Sequence, residues 1–170
     1  MGADTLASNS YGYAEPRNDV KIFQLKDMLI GFTTSYRMGQ LLMYKLQIPE
    51  HPKEMSNHQY FSTLFIDAVR ELFKKEGFSV VENNNEHGGE FLIGYKGELF
   101  HIYDDFQVAQ SSHNFDACGS GMYLALGALN ALHEFKNEMT PKEYILHALR
   151  AAEKFNAYVR SPFIVKSLEE

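Results

Sequence analysis

The chain of 170 residues contains one cysteine, Cys118, so no internal disulfide can staple it and a reducing, cytoplasmic setting is expected. It also lacks a basic cluster. Sixteen Lys and Arg stand against 22 Asp and Glu, a net charge of −6, and no stripe of Lys/Arg is present. That argues against nucleic acid or an anionic membrane as its main partner. No apolar run approaches the roughly 18 residues of a membrane span. The opening Met1-Gly2-Ala3-Asp4 has neither the basic start nor the apolar stretch of a secretory signal. His51, His58, His87, His101, His113, His133 and His147 show no metal-ligand spacing, so no metal or other cofactor is expected. Internal repeats and βαβ alternation are missing too, which sets aside a doubly wound parallel fold.

The composition, 45% hydrophobic and 14% aromatic, is that of a chain able to bury a core without staples, and residues 1–170 are expected to form one domain. Asn9 to Asn18 is rich in Asn and Ser with Gly12 and Pro16, the composition of a loop or hairpin connection. Asp19 to Leu25 and Met28 to Thr34 are β-rich runs joined by Lys26-Asp27 at hairpin length. From Ser35 to Leu46 the apolar period changes to that of a helix (Met38, Leu41, Leu42, Leu46), closed by Pro49 and Pro52. A second helix is predicted from Ser56 or Asn57 to Lys75, ended by Gly77.

Strands then return. Ser79 to Glu82, Glu90 to Tyr95 and Glu98 to Asp104 are predicted strands, with Asn83 to Gly89 as a polar loop and Lys96-Gly97 as a turn. Asp105 to Ala109 and His113 to Ala117 finish the run. A long apolar helix follows to about Phe135, and Thr140-Pro141-Lys142-Glu143 carries the cap, proline and glutamate of a helix start. Phe163 to Leu168 closes the chain as a strand. Strands, two helices, strands, two helices and a strand imply an α+β fold of antiparallel sheets with segregated helix pairs.

The stretch Ala117-Cys118-Gly119-Ser120-Gly121-Met122 reads as a strand end, a tight glycine-flanked turn and a helix opening from it. Gly119 and Gly121 admit dihedrals closed to other residues, and Ser120 stands where a helix N-cap belongs. Such a turn is by itself an ordinary capping device. In the same way Asp4 alone could cap a turn, and Lys21 on a strand is ordinarily a solvated cation.

Several segments in order nevertheless resemble the N-terminal nucleophile (Ntn) hydrolases of the proteasome β-subunit and HslV type. They are Gly2-Ala3-Asp4-Thr5-Leu6-Ala7-Ser8, Asn18-Asp19-Val20-Lys21-Ile22-Phe23, Leu29-Ile30-Gly31-Phe32-Thr33-Thr34-Ser35, Phe91 to Phe100, and Ala117 to Leu132. The resemblance implies a four-layer αββα sandwich of two antiparallel sheets between helical layers. It implies amide-bond hydrolysis of peptides by a Thr, Ser or Cys at the processed N-terminus, whose own α-amine is the general base. Asp4 would orient Lys21, Lys21 would make the site electropositive, and Ser120 would complete the hydroxyl network. A backbone N–H near Thr34-Ser35 would hold the oxyanion. Phe32 and Tyr36 would border the pocket for the substrate side chain, beside Thr34 and Ser35. Self-association as a dimer or ring is implied, and a peptide substrate and an ATPase partner are admitted without being specified.

The chain departs from that pattern in three places. Only three residues precede Asp4, and none of Met1, Gly2 and Ala3 carries a nucleophilic side chain. Thr34-Ser35 replace a Gly-Gly, and Glu153-Lys154-Phe155-Asn156 stand where the family offers a further aspartate. Met1 is therefore expected to be an internal methionine of a longer chain whose first strand carries the nucleophile, and residues 1–170 alone are expected to be inactive. A non-catalytic assembly or binding subunit of bacterial or phage origin is the alternative. A cysteine hydrolase using Cys118 with His113 is a distant third, because the two have opposite parity on a predicted strand.

Overall fold

The computed structural model describes residues 1–9, 11–135 and 138–168. Its strands are β1 (Gly2–Asp4), β2 (Leu6–Ser8), β3 (Ala14–Pro16), β4 (Ile22–Leu25), β5 (Met28–Phe32), β6 (Val80–Glu82), β7 (Asn85–His87), β8 (Phe91–Tyr95), β9 (Glu98–Ile102), β10 (Val108–Ala109) and β11 (Phe163–Val165). Its helices are α1 (Tyr36–Lys45), α2 (Asn57–Tyr60), α3 (Ile66–Lys75), α4 (Met122–Glu134) and α5 (Pro141–Phe155), with a π-helical turn (Phe61–Phe65) joining α2 to α3. Every strand pairing among the described residues is antiparallel. None of their helices is long and apolar enough to cross a membrane.

The centre is a five-stranded sheet in the order β10-β9-β8-β5-β4. Side chains alternate between its faces with period two. Phe23, Met28, Ile30, Phe91, Ile93, Phe100 and Ile102 point to one side and form the core with Met38, Leu41, Leu42, Phe61, Phe65 and Phe73 of the α1–α3 region. Ile22, Leu29, Gly31, Leu92, Gly94 and Leu99 belong to the other face, which borders a cavity. A sheet apolar on both faces needs cover on both.

That second cover comes from the remaining elements. β1 pairs with β11 as a separate two-stranded sheet, with Gly2 opposite Val165 and Asp4 opposite Phe163. α5 packs against both strands and against α4. Thr140 and Glu143 form the reciprocal capping box predicted for α5, behind Pro141. Met1 extends β1: its ammonium donates to the Lys166 carbonyl at 2.8 Å, and the Lys166 N–H donates back to Met1 O at 2.9 Å.

Three local expectations change. Asn83 to Gly89 is not merely a loop, because Asn83 and Asn84 adopt positive φ (50° and 67°) and turn β6 into β7. Paired positive φ is the backbone of the favoured two-residue hairpin turn, and Asn tolerates it. His113 to Ala117 forms no strand; with Asn114 at φ 61° the chain runs as an irregular strap from β10 to α4. Ser120 does not cap α4: Gly121 holds that position without a side-chain bond, and Met122 N–H reaches Gly119 O instead.

The densest part of the core is aromatic. Phe100 is fully buried, with its ring centroid 4.5 Å from that of Phe61. Phe100→Ala is expected to destabilise the protein by about 3–5 kcal/mol, measured as a lowered urea midpoint with an unchanged slope.

Candidate active site

Asp4 ends β1, where its carboxylate projects toward the main sheet. Lys21 stands just ahead of β4, its carbonyl continuing the ladder by accepting from Phe32 N–H at 3.0 Å. Lys21 Nζ donates to Asp4 Oδ1 at 2.7 Å, while Asp4 Oδ2 accepts from the Arg160 N–H at 3.3 Å. The two side chains are only 16% and 10% exposed. The pair borders a cavity of about 630 Å³ between the main sheet and the β1–β11 unit. Phe32, Thr33, Cys118 and Ser120 share its wall.

Thr34 turns the chain beside the site at a positive φ of 65°. This conformation is strained for a β-branched residue and costs on the order of 1–3 kcal/mol. Neighbouring bonds hold it. Thr33 N–H donates to Glu90 O, Ser35 N–H to Thr33 O, and Glu90 N–H to Thr34 Oγ1. Ser35 also caps α1 through Arg37 N–H. Among the described residues the Thr34 N–H has no hydrogen-bond partner. Gly119, at φ 91°, lies directly on Thr33, and a β-carbon there would come within 2.7 Å of Thr33 Oγ1. Glycine is thus required by both dihedral and space.

Asp4, Lys21, Phe32 and Ser120 border one cavity, whereas Thr34, Ser35 and Tyr36 are not among its lining residues. Tyr36 donates its hydroxyl to Thr5 O at 3.2 Å and lies under Arg17, whose guanidinium is 4.3 Å from the ring centroid. Burial, together with the charges of Asp19 and Asp4, pushes its phenol up to about 12. Ser120 exposes its side chain, and its carbonyl accepts from Asn156 Nδ2 at 2.6 Å. Glu153, near the end of α5, accepts from Ser161 N–H at 2.7 Å.

His113 and Cys118 both line the cavity. The strand parity expected to separate them does not exist, because this segment is irregular. Cys118 is nonetheless a poor nucleophile: burial, then the Glu90 and Asp116 carboxylates, push its thiol far above its ordinary range, against the pull of Lys21. The Met1 amine is pushed below its ordinary value by burial.

Sequence reasoning missed the most enclosed polar group near the cavity. His101 on β9 is 2% exposed, with Nε2 2.9 Å from Glu90 Oε1 and Nδ1 3.1 Å from Asp116 Oδ2. The only signal was a lone histidine inside the apolar run Leu99-Phe100-His101-Ile102, and neither partner is near it in sequence.

No protein-family model matches the chain, and no curated protein matches its sequence. Solved structures do. BPH of Thiobacillus denitrificans superposes with a TM-score of 0.80 at 23% identity, over 99% of this chain and 91% of that one. The same protein in complex with epoxomicin gives 0.79 at 22%, over 99% and 92%. HslV of Trypanosoma brucei gives 0.69 at 18%, over 97% and 90%. The chain has the proteasome-like fold of these structures. Lys21→Met strands a largely buried carboxylate and is expected to cost about 3–5 kcal/mol at neutral pH, read from urea unfolding. The double variant Lys21→Met/Asp4→Leu is expected to recover most of that loss.

Proposed function

We propose that this chain is the body of a proteasome-like peptidase whose cavity receives an N-terminal Thr, Ser or Cys on a segment joining Met1 from upstream. The observation that carries this reading is the largely buried Lys21–Asp4 pair at the wall of an apolar cavity. An ammonium held there lowers the proton affinity of a nearby amine or hydroxyl by its charge. In the proposed reaction the nucleophile's hydroxyl or thiol attacks a peptide carbonyl carbon while its proton passes to the α-amine. The oxyanion forms near the Thr34 N–H, the C–N bond breaks, and the leaving amine takes that proton. Water then hydrolyses the acyl-enzyme. Ser120 would supply the adjoining hydroxyl. Phe32 and Tyr36, with Thr34 and Ser35, would shape the side-chain pocket.

The added segment would enlarge the β1–β11 sheet and complete one cytoplasmic domain of four layers, αββα.

Expression from the native locus with its upstream DNA, followed by intact mass and N-terminal sequencing, tests the reading. The expected product begins at a Thr, Ser or Cys before Met1 and cleaves a fluorogenic peptide. Lys21→Ala in that product is expected to lower cleavage about 10²–10⁴-fold. A mature terminus at Met1 or Gly2 without cleavage would leave the second reading, a non-catalytic assembly subunit.

One observation favours assembly under either reading. α4 is strongly apolar yet buries only Ala125, while Tyr123 at 79% and Phe135 at 77% stand exposed. A structure of similar fold is a helical assembly of the Anbu complex from Pseudomonas aeruginosa (TM-score 0.58, 13% identity, 95% of this chain and 73% of that one). Self-association through α4 is therefore proposed, while an ATPase partner stays unassigned. Tyr123→Arg is expected to shift the sedimentation coefficient toward the monomer without changing the far-ultraviolet circular dichroism.

A further inference from the structure

We propose that His101 is a positioning residue for the cavity, a protonated latch holding the strap that carries Cys118 and Ser120 against the Thr33–Ser35 turn. Both its ring nitrogens face carboxylate oxygens, Glu90 Oε1 at 2.9 Å and Asp116 Oδ2 at 3.1 Å. An ionised carboxylate only accepts, so both nitrogens must donate and the satisfied state is the imidazolium. Each bond is then charge-assisted. The ring also stacks on Tyr103, with centroids 4.1 Å apart.

The two anchors differ in rigidity. Glu90 leads into β8, and its backbone is bonded on both sides to the Thr33–Thr34 turn. Asp116 stands on the irregular strap, where it also accepts from Ala117 N–H at 2.7 Å. A neutral imidazole has a single N–H, so loss of the proton turns a lone pair toward one carboxylate. The strap has no strand pairing of its own at Asp116, so that is the side that yields. Release there frees Cys118 and loosens Ser120, which keeps the tether from Asn156 to its carbonyl.

The charged and titratable neighbours are consistent in sign. Burial opposes the charge on His101, but Asp116 and Glu90 outweigh it and hold the imidazole above its ordinary value. His101 in turn holds Asp116 below its ordinary value against burial. Tyr103, raised chiefly by burial, feels Asp116, Glu90 and Tyr123, and Cys118 feels Glu90, Asp116 and Lys21. Because the His101 value is raised on folding, the latch is fully formed below the unfolded value near 6.5 and is lost as pH rises through the raised native value.

The latch does not depend on the hydrolase reading; only its consequence for catalysis rests on that reading. Cys118 is the sole cysteine, so its labelling reports the strap directly. Folded protein is treated with a thiol reagent from about pH 6 to about pH 9, a range that spans a histidine titration. Each rate is divided by that of a small reference thiol whose pKa also lies well above the range, so that both thiolates rise in proportion and the ordinary rise cancels. The corrected rate is expected to rise about tenfold across the His101 titration, the scale of losing one charge-assisted bond in a local opening. His101→Gln should label fast at every pH with no step. A flat corrected profile in the wild type, or a step retained in His101→Gln, overturns the latch. In case that variant does not fold, the wild-type His101 ring is titrated by NMR. A midpoint above 6.5 is expected, and a midpoint at or below it overturns the proposal. Peptide cleavage enters none of these measurements, so failure of the peptidase reading stays distinguishable.

Discussion

The contact between Lys21 and Asp4 is the constraint on which the arrangement turns, because it joins two halves that otherwise face each other across a cavity. Removing an ammonium and a carboxylate from water costs several kcal/mol for each ion. The attraction at 2.7 Å, together with the Arg160 N–H on the second oxygen, offsets that cost only while β1 and β4 hold their relative position. A geometry this demanding favours one placement of the β1–β11 unit over its neighbours. It also leaves a fixed positive charge at the wall of an apolar chamber, where low polarity strengthens its effect on any group brought close.

The chamber itself follows from strand alternation. A sheet that packs Phe23, Ile30, Phe91 and Phe100 on one side must put Ile22, Leu29, Leu92 and Leu99 on the other. That second face is met across the cavity by residues of α4, α5 and β1, with the Met1 side chain lying directly on Gly31. Three turns bear on its wall: the strained Thr34 bend, the Gly119-Ser120-Gly121 turn pressed on Thr33, and the segment after α5 that presents Arg160 N–H to Asp4. The Glu90–His101–Asp116 bridge binds the first two of these together.

The local signals were strong where chemistry is local. Turn residues at Lys26-Asp27 and Lys96-Gly97, the proline and capping box before α5, and the helical period from Met38 to Leu42 all act within a few residues and were readable as such. The β6–β7 hairpin is half legible: Ser79 to Glu82 reads as a strand, but β7 is Asn85-Glu86-His87 with no apolar residue, so with its Asn-Asn turn it reads as a polar loop. The strap before α4 reads as a strand because Phe115 and Ala117 mimic one, but among the described residues no strand pairs with it.

By itself the sequence determined the antiparallel, segregated character of the fold, the absence of a staple or basic surface, and the nomination of Asp4, Lys21 and Ser120. The fold character and the two absences depend on composition and short-range period, whereas the nomination is what the resemblance of the segments, in their order, to a known family implies. Only the tertiary structure decided that Asp4 and Lys21 form one largely buried pair, that Ser120 leaves helix capping to Gly121, and that His101 sits between two carboxylates. Contacts spanning 17, 11 and 15 residues are set by strand register and by how the layers pack. A linear pattern holds no information about a distance until the backbone has closed those loops.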